Sequence, residues 1–277
     1  MRCVHEASLY DENSFITLTY SPEHLPYDSG LDKSHFQKFI KRFRKSIAPK
    51  KIRYYHCGEY GDKNHRPHYH AIIFGYDFPD KELYKDTEGI RLYISNALSA
   101  LWPFGFSTVG DVTFESASYC ARYVMKKVNE NQKDKKTLQE YATRTHTYCA
   151  RYAMKKVNFN INNPGAYFDR YNRCDPETGE FFMVDPEYCT MSNRPGIGRS
   201  WFEKYESDAY PSDFIVLRGE KMQPPKYYDS LYSDIEIIKT ERRKRAAKHK
   251  KDQTPERLAV SEKVLEARMS TFNRVLD

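Results

Sequence analysis

The chain has 277 residues, enough for one large domain or for one domain with an appendage. Its 45 Lys and Arg exceed its 38 Asp and Glu, and the net charge of +7 modestly favours a polyanionic partner. Aromatic residues make up 15% of the chain, and such side chains both fill cores and stack on bases. No apolar stretch is long enough to cross a membrane, and no signal peptide is recognisable. The six cysteines form no CxxC pair, which fits a reduced cytosol better than secretion.

Hydrophobic patterning predicts strands and helices over the first half of the chain. Runs of β-branched and aromatic residues indicate strands, and the spacing of Phe36, Phe39, Ile40 and Phe43 indicates a helix. The predicted elements, in order, are a strand at 15–20, a helix at 32–47, strands at 52–57 and 66–74 joined by a turn at 58–64, a helix at 80–101, a strand at 106–114 and a helix at 116–129. This order predicts an α+β fold in which helices flank an antiparallel sheet.

The last third of the chain has a different composition. Residues 160–232 are rich in Pro, Gly, Asn, Asp and Tyr and show few periodic patterns. Residues 239–251 contain a basic run, with Arg242, Arg243 and Arg245 at its centre. Such a run is either a solvated helix face or flexible tail, or a non-specific attractor of phosphates. The sequence leaves both interpretations open.

Two histidines, His68 and His70, stand at the head of an apolar run. On a strand, alternate side chains share a face, so the two imidazoles would project together. Such a pair is often incidental, but two neutral imidazoles on one face can hold a divalent metal. Glu59 lies across the predicted hairpin and is placed to supply an oxygen ligand, ahead of His56 and His65. Two nitrogens and one oxygen would leave positions open for a phosphate.

Tyr119 and Tyr123 share a face if the segment after the fourth predicted strand is helical. Such pairs arise by chance in a tyrosine-rich chain and often only pack. Here, however, Arg122 and Lys126 lie beside them, and a cation favours a phenolate and contacts phosphate. A tyrosine with an ordinary pKa of ~10 is a weak nucleophile at neutral pH and needs a metal to activate the phosphate. A metal site beside a tyrosine pair suggests phosphodiester cleavage through a phosphotyrosine intermediate.

The tyrosine segment occurs twice. Residues 119–129 read YCARYVMKKVN and residues 148–158 read YCARYAMKKVN, so the copies differ at a single position. The second copy supplies an alternative pair, Tyr148 and Tyr152. The first copy is favoured because it follows a predicted strand directly, whereas the second follows a polar stretch.

Taken together, these motifs resemble a known family. The strand at 15–20, the His68–His70 pair and the Tyr119–Tyr123 pair resemble the three motifs of HUH rolling-circle replication initiators. The two-tyrosine form is similar to that of the microvirus initiators. The gokushovirus type is resembled in particular by three further stretches, which lie at 57–61, 191–198 and 224–228. The resemblance covers roughly residues 10–232.

The resemblance implies an HUH endonuclease fold with a central antiparallel sheet of about five strands. It implies a nicking domain at 1–160, a family-specific extension packed on it at 161–235, and a charged, helical tail at 236–277. One tyrosine would nick the viral plus strand at the origin, leaving a 5′-phosphotyrosyl link and a free 3′ hydroxyl. The second would act when the origin is regenerated, and rejoining would end rolling-circle replication.

The implied cofactor is Mg²⁺ or Mn²⁺, held by His68, His70 and Glu59. The implied partners are single-stranded or supercoiled viral DNA at the origin, a host helicase and a host DNA polymerase, in the host bacterial cytoplasm and without a membrane. Many relatives have Lys between the tyrosines where this chain has Arg122, which keeps the charge but does not readily exchange a proton. Two alternatives remain: another HUH nuclease, such as a relaxase or transposase, and a non-catalytic single-stranded nucleic-acid binding protein.

Overall fold

The computed structural model describes residues 1–61, 65–87, 89–114, 116–117, 171–174, 178–179, 181–248 and 254–270. The chain forms two compact units, Met1–Ser200 and Trp201–Asp277. Among the described residues, no helix is both long and apolar enough to cross a membrane.

Strands dominate the first unit. Its described helices are α1 (Arg2–Ala7), α2 (Lys33–Ser46) and α3 (Asn96–Leu101). Its described strands are β1 (Asn13–Thr19), β2 (Arg53–Tyr60), β3 (Pro67–Phe74), β4 (Glu82–Thr87), β5 (Ile90–Ile94), β6 (Ser107–Gly110), β7 (Asn172–Cys174), β8 (Phe181–Met183) and β9 (Tyr188–Met191).

The main sheet has seven strands in the order β4-β5-β6-β1-β3-β2-β9, and all neighbouring strands are antiparallel. The predicted α+β class and the antiparallel sheet are confirmed. The four strands predicted from the sequence are β1, β2, β3 and β6, which form the central part of the sheet. The sheet exceeds the expected five strands because a β4–β5 hairpin and β9 add to its two edges. Strands β7 and β8 form a separate small pair.

Residues 80–101 are not a helix, as the sequence pattern suggested, but two strands followed by the short helix α3. The chain reverses at Gly89, whose φ of +83° is readily adopted only by glycine. The Gly89 N–H donates to Asp86 Oδ1 at 3.2 Å and supports this turn. Helix α3 begins only after Ser95, whose hydroxyl caps it by accepting from the N–H of Leu98 at 3.1 Å.

Helix α2 packs on one face of the sheet because its apolar residues recur at helical spacing. Its first turn is capped by Asp32, whose Oδ1 accepts from the N–H of Ser34 at 2.7 Å. The helix buries four large side chains: Phe36, Phe39, Ile40 and Phe43. Full burial of each contributes roughly 1.5–3 kcal/mol, so this contact is a main source of the unit's stability.

The two faces of the sheet differ because side chains alternate along each strand. On the α2 face, Ile16 and Tyr69 join the core beneath α2. On the opposite face, Phe15 and Ile72 belong to a second apolar cluster. We call this the histidine face because the histidines of β3 project from it. Ala117 is buried in the second cluster, so the chain after β6 enters the histidine face.

Helix α1, which the sequence pattern did not predict, anchors the 191–198 segment. The buried carboxylate of Glu6 accepts from the N–H of Gly198 at 2.6 Å and forms an ion pair with Arg53. Arg53 also donates to the carbonyl of Pro195 at 2.6 Å. The distant Gly-rich segment is therefore held against the start of the chain and strand β2.

The second unit continues helix α4 (Arg199–Ala209) and contains β10 (Ile215–Leu217), β11 (Glu220–Met222), α5 (Lys226–Asp229), α6 (Ile235–Lys248) and α7 (Pro255–Ser270). Arg242 of α6 joins Asp213 and Asp229, with N–O distances of 2.6 and 2.8 Å, and Arg245 also contacts Asp213. Two arginines of the basic run are therefore engaged in structural ion pairs, so the run is not simply a solvated tail.

Candidate metal centre on the histidine face

The candidate ligands lie side by side on two paired strands. His68 and His70 belong to β3, and Glu59 belongs to β2 directly opposite His68. Opposite residues of an antiparallel pair project from the same face, and so do residues two apart on one strand. The hairpin therefore places all three side chains on the histidine face.

A single carboxylate oxygen connects the two imidazoles. Glu59 Oε1 lies 2.8 Å from His68 Nε2 and 2.9 Å from His70 Nε2. The two rings are perpendicular, with centroids 5.0 Å apart. One potential ligand atom from each residue lies within 4.8 Å of the others, and this triad is a group that can hold a metal ion.

Each imidazole is oriented through its other ring nitrogen. His68 Nδ1 donates to the carbonyl of Arg66 at 3.1 Å, and His70 Nδ1 lies 2.9 Å from the hydroxyl of Thr17. Phe15 stacks on the His70 ring, with centroids 5.5 Å apart. These contacts direct both Nε2 atoms towards Glu59, as outer-shell partners of metal-binding histidines do. Sequence analysis missed Thr17, because its position opposite His70 depends on strand register.

Burial and charge act against each other in this triad. Glu59 is fully buried, which alone would raise the pKa of its carboxyl, but His70 and His68 outweigh burial and hold that pKa below its usual value. Burial likewise would lower the pKa of His68, but the hydrogen bond and the charge of Glu59 raise it. Without a metal, the carboxylate is thus ionised and the imidazole holds its proton to a higher pH.

The donor set fits a divalent cation. Two imidazole nitrogens and one carboxylate oxygen on one side of an ion leave its other positions open, the arrangement of a catalytic rather than a structural site. The negative charge of Glu59 is already formed, and a cation would take the place of the proton that His68 retains. Imidazole ligands suit Mn²⁺ better than Mg²⁺, whereas the carboxylate suits both.

His56 is excluded from the triad by its direction. It lies one residue from Cys57 on β2 and projects from the α2 face, where its ring stacks on Phe36. Its Nδ1 lies 2.9 Å from the hydroxyl of Thr190. Burial lowers the pKa of His56 well below its usual value, so it is a neutral core residue. His65, the other lower-ranked candidate, lies in the turn with a positive φ of 47°.

The predicted nucleophiles and their cations, Tyr119, Tyr123, Arg122 and Lys126, lie outside the described residues, as does the alternative pair at 148 and 152. The described chain ends at Ala117, two positions before Tyr119, and resumes at Tyr171. Ala117 is buried against Phe15 and Ile72 in the cluster on the histidine face.

Residues 13–128 match the family model described as replication-associated protein ORF2. These residues therefore belong to that family. The match confirms the resemblance to phage replication proteins noted in the motifs. It contains the whole triad and the first tyrosine copy, and it ends before the second copy.

Curated relatives agree with this family. The chain is 31% identical over 242 residues to replication-associated protein VP4 of Bdellovibrio phage phiMH2K, covering 84% of this chain and 61% of the relative. It is 41% identical over 229 residues to replication-associated protein ORF2 of Spiroplasma virus 4, covering 78% and 57%. Replication-associated protein ORF4 of Chlamydia phage 1 is 39% identical over 130 residues, covering 44% and 32%. The chain thus spans about three-fifths of the first two relatives, and no solved structure matches it significantly.

Proposed function

We propose that the protein is a phage replication initiator that nicks the viral plus strand at the origin as a metal-dependent endonuclease. The observation that carries this proposal is the buried Glu59–His68–His70 triad on the histidine face. A second support is the match to the ORF2 family model, which joins this triad and the Tyr119–Tyr123 pair within residues 13–128. The three relatives above, all named replication-associated proteins of phages or viruses, support the role in replication.

In this proposal, Glu59, His68 and His70 hold Mg²⁺ or Mn²⁺. A bound ion would polarise the scissile phosphate and stabilise the charge on the leaving 3′ oxygen. Thr17 and the carbonyl of Arg66 keep the two Nε2 atoms pointed at the ion through their contacts with the opposite ring nitrogens.

The nucleophile is the phenol oxygen of Tyr119 or Tyr123. It forms a bond to the phosphorus while the bond from phosphorus to the 3′ oxygen breaks. The phenol loses its proton, the departing 3′ oxygen gains one, and the 5′ end becomes a phosphotyrosine ester. Arg122 and Lys126 are the cations we assign to the phosphate and the phenolate. Because the ester retains a phosphodiester-like bond, a 3′ hydroxyl can attack it and rejoin the strand.

A gel assay tests this function. The purified protein is mixed with labelled single-stranded DNA tiled across its own replicon, in Mn²⁺, Mg²⁺ or EDTA. We expect a covalent protein–DNA band that requires metal and is lost in the Tyr119→Phe/Tyr123→Phe double variant. The matched control is the Tyr148→Phe/Tyr152→Phe double variant, which should retain the band.

His68→Ala should lose the covalent band but keep most DNA binding, because phosphate contacts come from many Lys and Arg side chains. A band that survives loss of Tyr119 and Tyr123 and vanishes with Tyr148 and Tyr152 would transfer the nucleophile to the second copy. Saturable binding without a band on any tile would instead support a non-catalytic single-strand binder. The host helicase and polymerase stay predictions that pull-down from infected cells would test.

A further inference from the structure

Two large aromatic side chains are exposed together at one end of the sheet. Tyr84 of β4 is 55% exposed and Phe106, just before β6, is 48% exposed. Their ring centroids are 5.3 Å apart, at an interplanar angle of 58°. We call these two residues the aromatic pair. Exposed aromatic rings of this size cost solvation free energy, so a pair of them indicates a binding role.

The aromatic pair lies on the histidine face. The carbonyl of Phe106 accepts from the N–H of Thr19 at 2.9 Å, so Phe106 sits beside Thr19. On its other side, Thr19 is paired with His68 in β3. The next residue, Ser107, is buried and approaches Ser99 of α3 on the α2 face. Because neighbouring residues of a strand alternate, Phe106 projects from the histidine face.

The strand spacing fixes the separation between the aromatic pair and the triad. Phe106 and His68 flank Thr19 on neighbouring strands. With strands ~4.8 Å apart, the Cα atoms of Phe106 and His68 are separated by about 10 Å. An extended nucleic-acid strand lying across the sheet would therefore pass both features.

The backbone that carries Phe106 is rigidly held. The Thr19 hydroxyl donates to the same Phe106 carbonyl at 2.8 Å, and the N–H of Ser21 donates to the carbonyl of Phe104 at 2.8 Å. Gly105 between them has a φ of +155°, and a Cβ there would lie 2.3 Å from the backbone nitrogen of Ser21. Phe106 is thus a preorganised surface, which reduces the entropy lost when a ligand binds.

A cation lies on the same face. Lys85 of β4 is exposed and pairs with Leu92, which is opposite Gly110, which in turn is opposite Phe15. Phe15 belongs to the histidine face, so the register assigns Lys85 to that face as well. An ammonium group beside exposed rings is the combination used by single-strand binding surfaces.

We propose that the aromatic pair is a base-stacking platform for single-stranded DNA, positioning the nucleotides that flank the phosphate at the triad. This inference rests on the function proposed above and adds a binding subsite to it. Single-stranded DNA is the favoured occupant because its unpaired bases can lie flat on rings, whereas the bases of a duplex are already stacked. Lys85 would contact a neighbouring phosphate.

Binding without cleavage tests the platform. Anisotropy of a short fluorescent oligo(dT) is measured in EDTA, beside an oligonucleotide of the same length made of abasic sites, which keeps the phosphates and lacks the bases. We expect Phe106→Ala to weaken oligo(dT) binding about tenfold and to leave abasic binding unchanged. Phe106→Trp should bind oligo(dT) about as well as the unaltered chain.

Salt dependence separates stacking from charge. Phe106→Ala should keep the slope of affinity against salt, whereas Lys85→Ala should reduce that slope by about one unit. Tyr84→Ala should resemble Phe106→Ala. The matched control is Tyr27→Ala, which removes another highly exposed tyrosine of the first unit and should leave binding unchanged.

The outcomes separate this proposal from the nicking function. Equal oligo(dT) affinity for the Phe106→Ala variant and the unaltered chain would overturn the platform, even if the covalent band forms as expected. Equal losses on oligo(dT) and abasic DNA would also overturn it, since the effect would not come from bases. Base-dependent loss in a chain that forms no covalent band would uphold the platform and remove the nicking function.

Discussion

Replacing Glu59 by Gln tests the metal centre most directly, because the substitution keeps the shape of the side chain and removes its charge. The carboxylate is fully buried and accepts the charged hydrogen bond from His68 at 2.8 Å. A hydrogen bond to a charged group contributes about 1.5–3 kcal/mol. His68 can release its proton once the carboxylate is gone, so the loss should fall short of the ~3–5 kcal/mol of a broken buried ion pair. We expect Glu59→Gln to destabilise the metal-free protein by about 2 kcal/mol.

The metal response is the decisive part of this prediction. A ligand at a hundred times its Kd stabilises the folded state by about 2.7 kcal/mol. For a unit of this size, each kcal/mol moves the melting temperature by about 2–4 °C. Thermal scans in Mn²⁺ against EDTA should therefore raise the melting temperature of the unaltered chain by about 5–11 °C. In Glu59→Gln this rise should largely disappear.

A matched control uses the other buried glutamate described above. Glu6 is also buried and charged, but it pairs with Arg53 and the N–H of Gly198, away from the triad. Glu6→Gln should lower the melting temperature and keep the full Mn²⁺-induced rise. A Glu59→Gln variant with an undiminished rise, or an unaltered chain that shows no rise at any Mn²⁺ concentration, would refute the metal centre.

Three further predictions concern the scaffold and the titration of the triad. Gly105→Ala should destabilise the first unit by several kcal/mol, since its Cβ would meet backbone, whereas Gly89→Ala should cost only about 1–2 kcal/mol from its left-handed conformation; urea unfolding measures both. In EDTA, stability from the raised pKa of His68 should be complete below pH ~6.5 and be lost as the pH rises through the folded-state pKa, and His68→Gln should abolish this decline in urea midpoints. Arg242→Ala should cost the second unit about 3 kcal/mol because it leaves two carboxylates unpaired, and Arg243→Ala should change stability by less than about 0.5 kcal/mol in thermal scans.

Each of these predictions has an outcome that contradicts it. Equal costs for the two glycine substitutions would mean that the turn before Phe106 relaxes around a Cβ. A flat stability profile for the unaltered chain across pH 6–8 would mean that the carboxylate does not hold the proton on the imidazole. Equal effects of the two arginine substitutions would make the whole basic run a solvated surface.

Local sequence signals were sufficient for the central elements of the fold. Helical spacing of phenylalanines predicts α2, and β-branched or aromatic runs predict β1, β2, β3 and β6. The same reasoning failed for β4, whose residues are almost all exposed, so the strand has no buried face and no apolar period. Strand β9 was missed because a four-residue strand gains its stability from pairing with β2, far away in sequence.

The sequence by itself determined that His68 and His70 share a face, because alternation along a strand is a local property of the backbone. It also determined the phage replication family, because that family's motifs are short and contiguous. Only the tertiary structure decided that Glu59 lies opposite His68, that Thr17 orients His70, and that Phe106 lies on the histidine face. These relations depend on the register between strands, and a shift of one residue would turn every side chain to the other face.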